Sequence, residues 1–441
     1  MSSLSTSKEI SKREREVLGK TQKLPYCPIS FKSGKGSLLY DYEGKEYIDL
    51  LSSASSANLG HSNEEIAEAV KEQMLKLPQM SMVYFPCKEP VEYAEKLIKL
   101  YPGDDNKKVL FSTTGSESID AAIKLAKAYT GRNKIISFNG AYHGSTFGAM
   151  SVSAISLNMK RKVGPMLPDI YHFNYPTCYK CPYGKCEASC NLECLKEIEN
   201  AFNLYLPSEE VAAVFFEPIA GDSGIIVPPK KYVKALYNLC KENNILFVVD
   251  EIQQAWGRSG KFFSIEHFDV EPDLIVMGKA SGGGLPMGIT MGKSEIIDSL
   301  GAPAHVFTMS GNSTVCVAAL KMLEIFEREN IVEQSKVKGE YFKNKFLELQ
   351  KKYDIIKDVR GLGLSIGVDL IDKDTTTKII YECQQNGLVL ISLGELTLRV
   401  QPPLIITYEE MDKAIDIIEQ AIKDFLDGKI SDEAFDVIKG W

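Results

Sequence analysis

A lysine that directly follows a short apolar run is the first residue of this sequence whose position suggests chemistry. Lys279 comes after DLIVMG (273–278) and before Ala-Ser-Gly-Gly-Gly. An apolar run of that length is typical of a buried strand, and the glycines are typical of a loop. A lysine in such a place is partly desolvated, and desolvation makes an amine nucleophilic, as Schiff-base chemistry requires. An ordinary loop lysine is the alternative if the feature stands alone.

A second apolar run leads into a segment suited to bind an anion. KVLFS (108–112) precedes Thr-Thr-Gly-Ser, where a helical pattern begins. The backbone N–H groups of Thr114, Gly115 and Ser116 would lie at the N-terminus of that helix, which is a natural cradle for a phosphate. A simple helix cap formed by Thr114 or Ser116 is the alternative.

A third apolar run, ILFVV (245–249), ends in an acidic pair, Asp250 and Glu251. Such a pair also resembles the metal-binding strand of nucleotide hydrolases, but that reading needs a GxxxxGK[ST] loop. The nearest segment, GITMGKS, lacks the first glycine, so the nucleotide-hydrolase hypothesis fails. In open α/β sheets ligands bind beyond the carboxyl ends of the strands. We therefore expect Asp250, Lys279 and the phosphate cradle to lie together.

These three features match the needs of one cofactor, pyridoxal 5′-phosphate. Its aldehyde requires an amine, its pyridine nitrogen requires an anion, and its phosphate requires an anchor. Lys279, Asp250 and the segment around Gly115 supply them in that order. An anion at the pyridine nitrogen keeps the ring protonated, so that the ring can accept electrons.

Composition excludes several classes of protein. The chain has 441 residues, with 51 Lys+Arg against 59 Asp+Glu and a formal net charge of −8, which disfavours a nucleic-acid or anionic-membrane partner. Hydrophobic residues make up 44% and charged residues 25%, as in a globular protein. No apolar run approaches the roughly 18 residues needed to span a bilayer. The N-terminal segment lacks the apolar region of a secretory signal, so we expect a cytoplasmic protein.

The order of elements predicts an α/β fold with two kinds of domain. Apolar runs alternate with helical segments between about 107 and 293, which favours a mostly parallel sheet. The segment 36–52 predicts a hairpin around Glu43-Gly44. We place an N-terminal arm and part of a small domain at 1–60, a large cofactor-binding domain at 61–310 and a C-terminal small α+β domain at 311–441.

At this point the sequence resembles the class III aminotransferase family over about 33–430. The resemblance rests on motifs that occur in order: GSLLYDYEGKEYIDL, GHSNEEIAEAV, TTGSESIDAAIKLAKAYTGR, YHGST, FFEPIAGDSG, VVDEIQQAWGRSG, DLIVMGKASGGGLPMG, HVFTMSGN, VRGLGL and LRVQPPL. It implies the type I pyridoxal-phosphate fold, in which the small domain is built from both termini. One departure is GHSNEE (60–65), where GHxHP is common.

The resemblance also implies roles for single residues at the cofactor. Lys279 resembles the lysine that bonds to the cofactor, and Asp250 the partner of the pyridine nitrogen. Gln253 lies where the family hydrogen-bonds the phenolic oxygen of the ring, and Tyr142 resembles the aromatic residue that stacks on the ring. The other cofactor-binding positions implied are Gly115, Ser116 and Glu217.

Two further positions carry implications for assembly and substrate. Thr308 in HVFTMSGN resembles the threonine that reaches the phosphate from the neighbouring subunit, which implies a homodimer or a dimer of dimers. Arg399 in LRVQPPL resembles the small-domain arginine that pairs with a substrate carboxylate, a task suited to a bidentate fork. Plain core packing is the alternative for Tyr142, and a surface ion pair is the alternative for Arg399.

Within the family, this sequence looks most like the branch of amino-acid racemases that includes isoleucine 2-epimerases. An isomerase returns the α-proton to the opposite face, so a second proton-transfer group is useful, and Asp222 in EPIAGDSG is our candidate opposite Lys279. We expect action on isoleucine, leucine or valine. The alternative is an aminotransferase for 4-aminobutyrate, ornithine or a related amine, in which Asp222 only orients cofactor or substrate groups.

A cluster of five cysteines is left unexplained by the resemblance. The cluster consists of Cys178, Cys181, Cys186, Cys190 and Cys194. Five thiols in a short segment could hold zinc or an iron–sulfur cluster, although the long gap of a zinc ribbon is missing. A redox-variable thiol patch and unlinked structural cysteines are the other two possibilities, and a set of cytoplasmic disulfides is less expected.

Overall fold

The computed structural model describes residues 6–24, 26–104, 106–185 and 187–440. The described residues form two compact units, one from within 1–64 and 333–441 and the other from 65–332. The domain limits drawn from the sequence stay predictions, because a domain is defined by folding on its own and compactness does not test that.

The regular elements of the described chain are numbered in sequence order. The strands are β1 (Phe31–Lys35), β2 (Leu38–Asp41), β3 (Glu46–Asp49), β4 (Lys107–Ser112), β5 (Lys134–Phe138), β6 (Ile170–Phe173), β7 (Val211–Phe216), β8 (Leu246–Asp250), β9 (Leu274–Met277), β10 (Gly288–Lys293), β11 (Ile356–Leu362), β12 (Ser365–Leu370), β13 (Leu388–Val389), β14 (Ile391–Leu393) and β15 (Thr397–Val400). The helices are α1 (Thr6–Val17), α2 (Ser52–Ser55), α3 (Glu64–Lys76), α4 (Lys88–Leu100), α5 (Gly115–Thr130), α6 (Phe147–Val152), α7 (Leu157–Lys160), α8 (Glu193–Leu204), α9 (Lys230–Glu242), α10 (Ser294–Ile297), α11 (Ser313–Arg328), α12 (Ile331–Lys352), α13 (Lys373–Gln385), α14 (Tyr408–Leu426) and α15 (Ala434–Val437). Short 3-10 helices lie at Lys20–Gln22, Glu187–Ser189, Ser208–Glu210, Ser264–Phe268 and Lys279–Gly282.

The unit formed by 65–332 is built on a seven-stranded sheet, as far as the chain is described. Its strand order is β4-β10-β9-β8-β7-β5-β6. Neighbouring strands are parallel except at β10, which runs antiparallel to both β4 and β9. Strands β7 and β8 are buried at every position, which is why their sequences are continuous apolar runs rather than alternating ones. The predicted mostly parallel sheet is confirmed.

Helix α5 shows how the sequence sets a local boundary in this unit. Thr114 caps its N-terminus in a reciprocal capping box with Glu117, and Gly131 ends it in a left-handed conformation with φ of 69°. Its apolar face packs into the core with residues of β7, β8 and β9. The buried cluster comprises Ile119, Ala122, Ile123, Leu125, Ala126, Ile135, Ala149, Val152, Ala212, Ala213, Phe215, Leu246, Val248, Leu274, Val276, Ile296 and Ile297.

The other unit combines residues from both ends of the chain. Strand β13 pairs in parallel with β3, so the N-terminal hairpin of β2 and β3 and a C-terminal strand share one sheet, of order β1-β2-β3-β13. A second sheet has the order β11-β12-β15-β14. No helix of the described residues is long and apolar enough to cross a bilayer.

Candidate functional site

The candidate residues of the 65–332 unit follow the carboxyl ends of neighbouring parallel strands. Asp250 is paired with Val276 in the β8–β9 ladder, and Val276 lies three residues before Lys279. On the other side of β8, Phe216 is paired with Val249, so Glu217 lies beside Asp250. The sheet therefore brings the strand-end Lys, the strand-end Asp and a second carboxylate to one edge.

The predicted phosphate cradle is the first turn of α5. Among the described residues, the backbone N–H groups of Gly115 and Ser116 donate to no recorded acceptor, as expected for the first turn of a helix. The expectation for Thr114 was wrong in one respect. Its N–H group donates to Glu117 Oε2 at 3.2 Å, because the capping box uses it. The cradle and the cap therefore coexist, and the cradle begins one residue later.

Two glycines let this cradle approach the segment that carries Lys279. A Cβ atom on Gly278 would lie 3.2 Å from the Cα atom of Gly115, and a Cβ atom on Gly115 would lie 2.8 Å from Cδ1 of Ile252. Lys279 itself is half-buried and has a φ of 48°. A non-glycine residue in the left-handed region costs roughly 1–2 kcal/mol, and such strain is typical of functional sites.

Asp250 is the centre of a buried network that also includes His143 and Glu217. The Oδ2 atom of Asp250 is 2.6 Å from Nδ1 of His143, and its Oδ1 atom accepts the N–H group of Ile252 at 2.9 Å. Burial lowers the pKa of His143, but the hydrogen bond and charge of Asp250, with the charge of Glu217, raise it by more. The result is an imidazole that favours its charged form beside a carboxylate.

Glu217 ties two loops together. Its Oε1 atom accepts the N–H group of Tyr142 at 3.0 Å, and its Oε2 atom accepts the N–H group of Gly221 at 2.7 Å. Burial raises the pKa of Glu217 to about 7, with a further rise from the charge of Asp250. One carboxylate thus fixes both the loop of Tyr142 and the loop that leads to Asp222.

Asp222 is held by Gln253, a contact that the sequence did not reveal. The Nε2 atom of Gln253 donates to Oδ1 of Asp222 at 2.9 Å, which links the loop after β7 to the loop after β8. Both side chains are half-buried. Tyr142 is half-buried too, and its hydroxyl lies 3.2 Å from Ser145 Oγ, while the Ser145 N–H group donates to Ser116 Oγ at 3.1 Å. Tyr142 and the first turn of α5 are therefore joined through Ser145.

His143 is the main residue that sequence reasoning missed. It is 1% exposed and its Nε2 atom has no hydrogen-bond partner among the described residues. The available signal was its place in YHG, next to Tyr142, in a chain with only five histidines.

Two predicted residues are not part of this cluster. Thr308 is exposed, and its carbonyl oxygen accepts hydrogen bonds from Gln79 Nε2 at 3.1 Å and Ser81 Oγ at 3.3 Å. Arg399 belongs to the other unit, on β15, and is 4% exposed. Its Nε group donates to Oε1 of Gln401 at 2.6 Å, and one terminal nitrogen donates to Ser55 Oγ at 3.4 Å.

Ser55 belongs to α2, a turn whose four residues all have positive φ, between 45° and 67°. The guanidinium of Arg399 is therefore oriented by a strained segment, and it is not a surface ion-pair partner.

The cysteine cluster lies after β6. Cys186 lies outside the described residues. No group of His, Cys, Asp or Glu in the described chain has an arrangement that could hold a metal ion, and no disulfide joins two described cysteines. Cys178, Cys181, Cys190 and Cys194 nevertheless line a single small cavity.

The residues at the sheet edge fit pyridoxal phosphate. The first turn of α5 presents unused N–H groups, glycines allow close approach, a lysine emerges in a strained conformation, and a buried carboxylate is backed by a histidine. A basic amine, an anion and an anion cradle at one edge are the donor set that this cofactor requires.

Comparison with known proteins agrees with this geometry. Residues 20–422 match the family model "Aminotransferase class-III". The chain is 40% identical to an isoleucine 2-epimerase of Lentilactobacillus buchneri, over 98% of both chains. It is 39% identical to a leucine/methionine racemase of Thermococcus litoralis, over 98% of this chain and 99% of that one. A probable 4-aminobutyrate aminotransferase of Bacillus subtilis is 33% identical over 88% of this chain and 92% of its own length.

Solved structures show the same fold. An aminotransferase of Bacillus anthracis matches with a TM-score of 0.86 and 29% identity, covering 94% of this chain and 98% of that one. The ornithine aminotransferase of Toxoplasma gondii, described with partial occupancy of pyridoxal phosphate at its active site, matches with a TM-score of 0.85 and 26% identity over 97% of both chains. The chain belongs to the class III aminotransferase family and is a pyridoxal-phosphate-dependent enzyme of the type I fold, so the predicted family, fold and cofactor are confirmed.

Proposed function

We propose that the protein is an amino-acid racemase or 2-epimerase that acts on aliphatic amino acids such as isoleucine, leucine or valine. The observation that supports this proposal is that two residues able to transfer protons follow the strands on either side of the strand that ends at Asp250. Lys279 follows β9 and Asp222 follows β7, the two strands that flank β8. The similarity to an isoleucine 2-epimerase and to a leucine/methionine racemase also supports it.

Inversion at an α-carbon requires that a proton leave one face and return to the other. When bound, pyridoxal phosphate draws electrons from the α-carbon and so makes its proton removable. In our proposal Lys279 Nζ exchanges the proton on one face, and a carboxylate oxygen of Asp222 exchanges it on the other, directly or through a water. Proton transfer by a positioned group of this kind contributes about 100- to 10,000-fold to a rate.

The surroundings of Asp222 suit a proton-transfer group. The hydrogen bond from Gln253 fixes one carboxylate oxygen, and the backbone before it is anchored through the Gly221 N–H group to Glu217. A positioned carboxylate is a better acid–base catalyst than a mobile one, because less ordering is needed in the transition state.

The remaining assignments concern binding. We propose that Gly115 and Ser116 hold the cofactor phosphate, that Asp250 pairs with its pyridine nitrogen, and that Tyr142 packs on its ring. Gln253 would form a hydrogen bond with the phenolic oxygen of the ring. Glu217 would position the ring indirectly, because it fixes the loops of Tyr142 and Gly221. Arg399 would pair with the substrate carboxylate, and an Arg399→Lys variant should raise KM more than it lowers kcat, because the planar fork is lost.

An aminotransferase is the second candidate. It is supported by the 33% identity to a probable 4-aminobutyrate aminotransferase over 88% of the chain. In that case Lys279 alone would transfer the α-proton, and Asp222 would orient groups at the site.

One incubation separates the two candidates. The holoenzyme is incubated with L-isoleucine in deuterated water without an oxo acid, and the stereoisomers are then separated. D-allo-isoleucine carrying α-deuterium is the expected product. Unchanged stereochemistry, with turnover only after 2-oxoglutarate or pyruvate is added, would make the protein an aminotransferase.

Variants at Asp222 test the second proton-transfer group. Asp222→Asn should lower inversion roughly 100-fold or more while exchange of the α-proton by Lys279 continues. Asp222→Glu should restore part of the inversion, because a carboxylate is again available. Full racemisation by Asp222→Asn with unchanged α-proton exchange would show that the two-group proposal is wrong.

We also propose a homodimer, alone or paired into a dimer of dimers, in the cytoplasm. Thr308 lies beside an exposed apolar patch, which we define as Tyr84, Phe85 and Met309, with exposed fractions of 75%, 53% and 51%. Large exposed apolar side chains in one place are typical of an interface. Light scattering should give a dimer or tetramer mass for the parent chain and a monomer mass for a Tyr84→Asp, Phe85→Asp variant.

A further inference from the structure

The cysteines after β6 converge on one space. Cys178, Cys181, Cys190 and Cys194 line a cavity of about 20 Å³, together with Tyr175 and Tyr232. We call this space the thiol cavity. Its volume is about that required by one water molecule, so it admits a molecule as small as water or hydrogen peroxide.

Four cysteines of the core are less exposed than these four. Cys87, Cys240, Cys316 and Cys383 are buried, whereas those of the thiol cavity are half-buried. Burial raises the pKa of Cys316 to about 12, and it raises the pKa values of Cys240 and Cys383 further. A deeply buried thiol is chemically inert because oxidants cannot reach it and the thiolate is disfavoured. The thiol cavity is open to small oxidants in a way that the core cysteines are not.

Local contacts distinguish Cys190 from its neighbours. The backbone N–H group of Leu192 donates to Cys190 Sγ at 3.3 Å, and Sγ lies 3.4 Å from Glu193 Oε2. An N–H group that points at sulfur stabilises the thiolate, which is the form that attacks an oxidant. The Glu193 carboxylate accepts a hydrogen bond from the Cys190 thiol. The N–H group at its sulfur is the reason to assign the first attack to Cys190.

Cys194 is the partner that we assign to Cys190, because both residues line the thiol cavity. It lies in the first turn of α8. Burial raises the pKa of Cys194 to about 12, and after burial the largest contribution is the charge of Cys190, with a smaller one from Cys181. Cys194 follows Cys190 by four residues, and both residues line the thiol cavity. It remains a neutral thiol until a reactive sulfur is presented to it.

The cavity also contains an unused hydrogen-bond donor. Tyr232 is completely buried, and its hydroxyl has no hydrogen-bond partner among the described residues. Buried hydroxyl groups in folded proteins normally have a partner, so a small polar molecule in this cavity, such as water or a peroxide, would be held by the Tyr232 hydroxyl. An oxygen atom bonded to the sulfur of Cys190 would be an acceptor within the same cavity.

We propose that the thiol cavity is a site of reversible oxidation by a peroxide, at which Cys190 and Cys194 form a disulfide. The Cys190 thiolate attacks the peroxide, so that an S–O bond forms, the O–O bond breaks and hydroxide leaves, which takes up the thiol proton to become water. The sulfur of Cys194 then attacks the sulfur of Cys190. An S–S bond forms, the S–O bond breaks, and hydroxide leaves with the proton of Cys194 as a second water. Two thiols are oxidised by two electrons, and one hydrogen peroxide is reduced to two waters.

The test uses the full-length holoenzyme and hydrogen peroxide as the probe. Thiols that survive a brief treatment are alkylated, the protein is digested, and the peptides are identified by mass spectrometry with and without dithiothreitol. We expect a Cys190–Cys194 linkage that dithiothreitol reverses, while Cys240 and Cys316 stay available for alkylation after denaturation. This readout is independent of the reaction that the enzyme catalyses.

Matched variants decide which thiols act. Cys190→Ser should abolish the linkage, and Cys194→Ser should leave Cys190 as a sulfenic acid that dimedone traps. Cys178 lines the same cavity, and the Cys178→Ser variant should still form the Cys190–Cys194 linkage. A disulfide between any other pair, or equal oxidation of all four thiols without a linkage, would overturn the proposal. So would stoichiometric zinc in the purified protein that protects these thiols from alkylation.

Discussion

The buried network around Asp250 and the thiol cavity lie on two sides of one residue, Tyr175. Its ring lines the thiol cavity, and its hydroxyl donates to the carbonyl oxygen of Glu217 at 2.7 Å. On the network side, polar contacts are short, between 2.6 and 3.0 Å. On the cavity side, contacts to sulfur are 3.3–3.4 Å, and the Tyr232 hydroxyl has none in the described chain.

The contacts to sulfur are longer because sulfur is the larger atom, and the two sites also differ in charge. A buried carboxylate is tolerated only when fixed donors or a cation replace its water, so the network has one arrangement. A neutral thiol can be buried without strong hydrogen bonds, so the cysteines of the thiol cavity do not need fixed hydrogen-bond partners. We therefore expect substitutions in the network to damage function and substitutions around the cavity to be tolerated in the reduced protein.

The largest effect is expected at Lys279. Lys279→Ala removes the amine to which we assign the bond to the cofactor and the exchange of a proton, so activity should fall roughly 1,000-fold or more. Steady-state kinetics and the near-visible absorption of the holoenzyme check this. The exposed Lys261→Ala is the control and should keep both. A Lys279→Ala enzyme with parent activity would end the assignment of this edge as the active site.

A smaller but still large effect is expected at Asp250. Asp250→Asn removes the charge that, in our proposal, would keep the pyridine nitrogen protonated, and activity should fall about 100-fold. The same change leaves burial as the dominant influence on His143, so the pKa of His143 should drop below its ordinary value. An NMR titration of His143 measures this second effect, with the exposed Asp269→Asn as control. An unchanged titration would show that Asp250 does not govern His143.

Glu217 should affect stability through pH. Burial raises its pKa from 4.5 to about 7, so between these values the folded protein binds more protons than the unfolded chain. The free energy of unfolding should therefore fall as pH rises through this window, by roughly 3 kcal/mol from this group. Urea unfolding of Glu217→Gln should show a shallower decline, whereas the exposed Glu242→Gln should follow the parent. Parallel curves for Glu217→Gln and the parent would contradict this reading.

The smallest effects come from two tyrosines that line the thiol cavity. Tyr175→Phe breaks the hydrogen bond to Glu217 and should cost about 1 kcal/mol of the free energy of unfolding. Tyr232→Phe removes a hydroxyl without a partner in the described chain, so it should be neutral or slightly stabilising. Denaturant titrations of the reduced protein compare them directly. Equal losses of the free energy of unfolding in the two variants would show that the network and the cavity do not differ in this way.

Several elements of the fold were predictable because their signals are local. The hairpin around Gly44 is confirmed by the antiparallel pairing of β2 with β3. The apolar runs are strands because continuous burial on both faces permits only apolar side chains. The beginning of α5 at Gly115 could be read from the cap that precedes it.

The sequence by itself determined which residues able to do chemistry follow the ends of strands, and in which order. Apolar runs and loop glycines are short-range features, so they can be identified without the tertiary structure. Only the tertiary structure decided which of these residues meet. The contacts of His143 with Asp250, of Glu217 with the Tyr142 and Gly221 backbone, and of Gln253 with Asp222 each join segments from different strands. Strand order and parallel register set these contacts, and both depend on how distant segments pack.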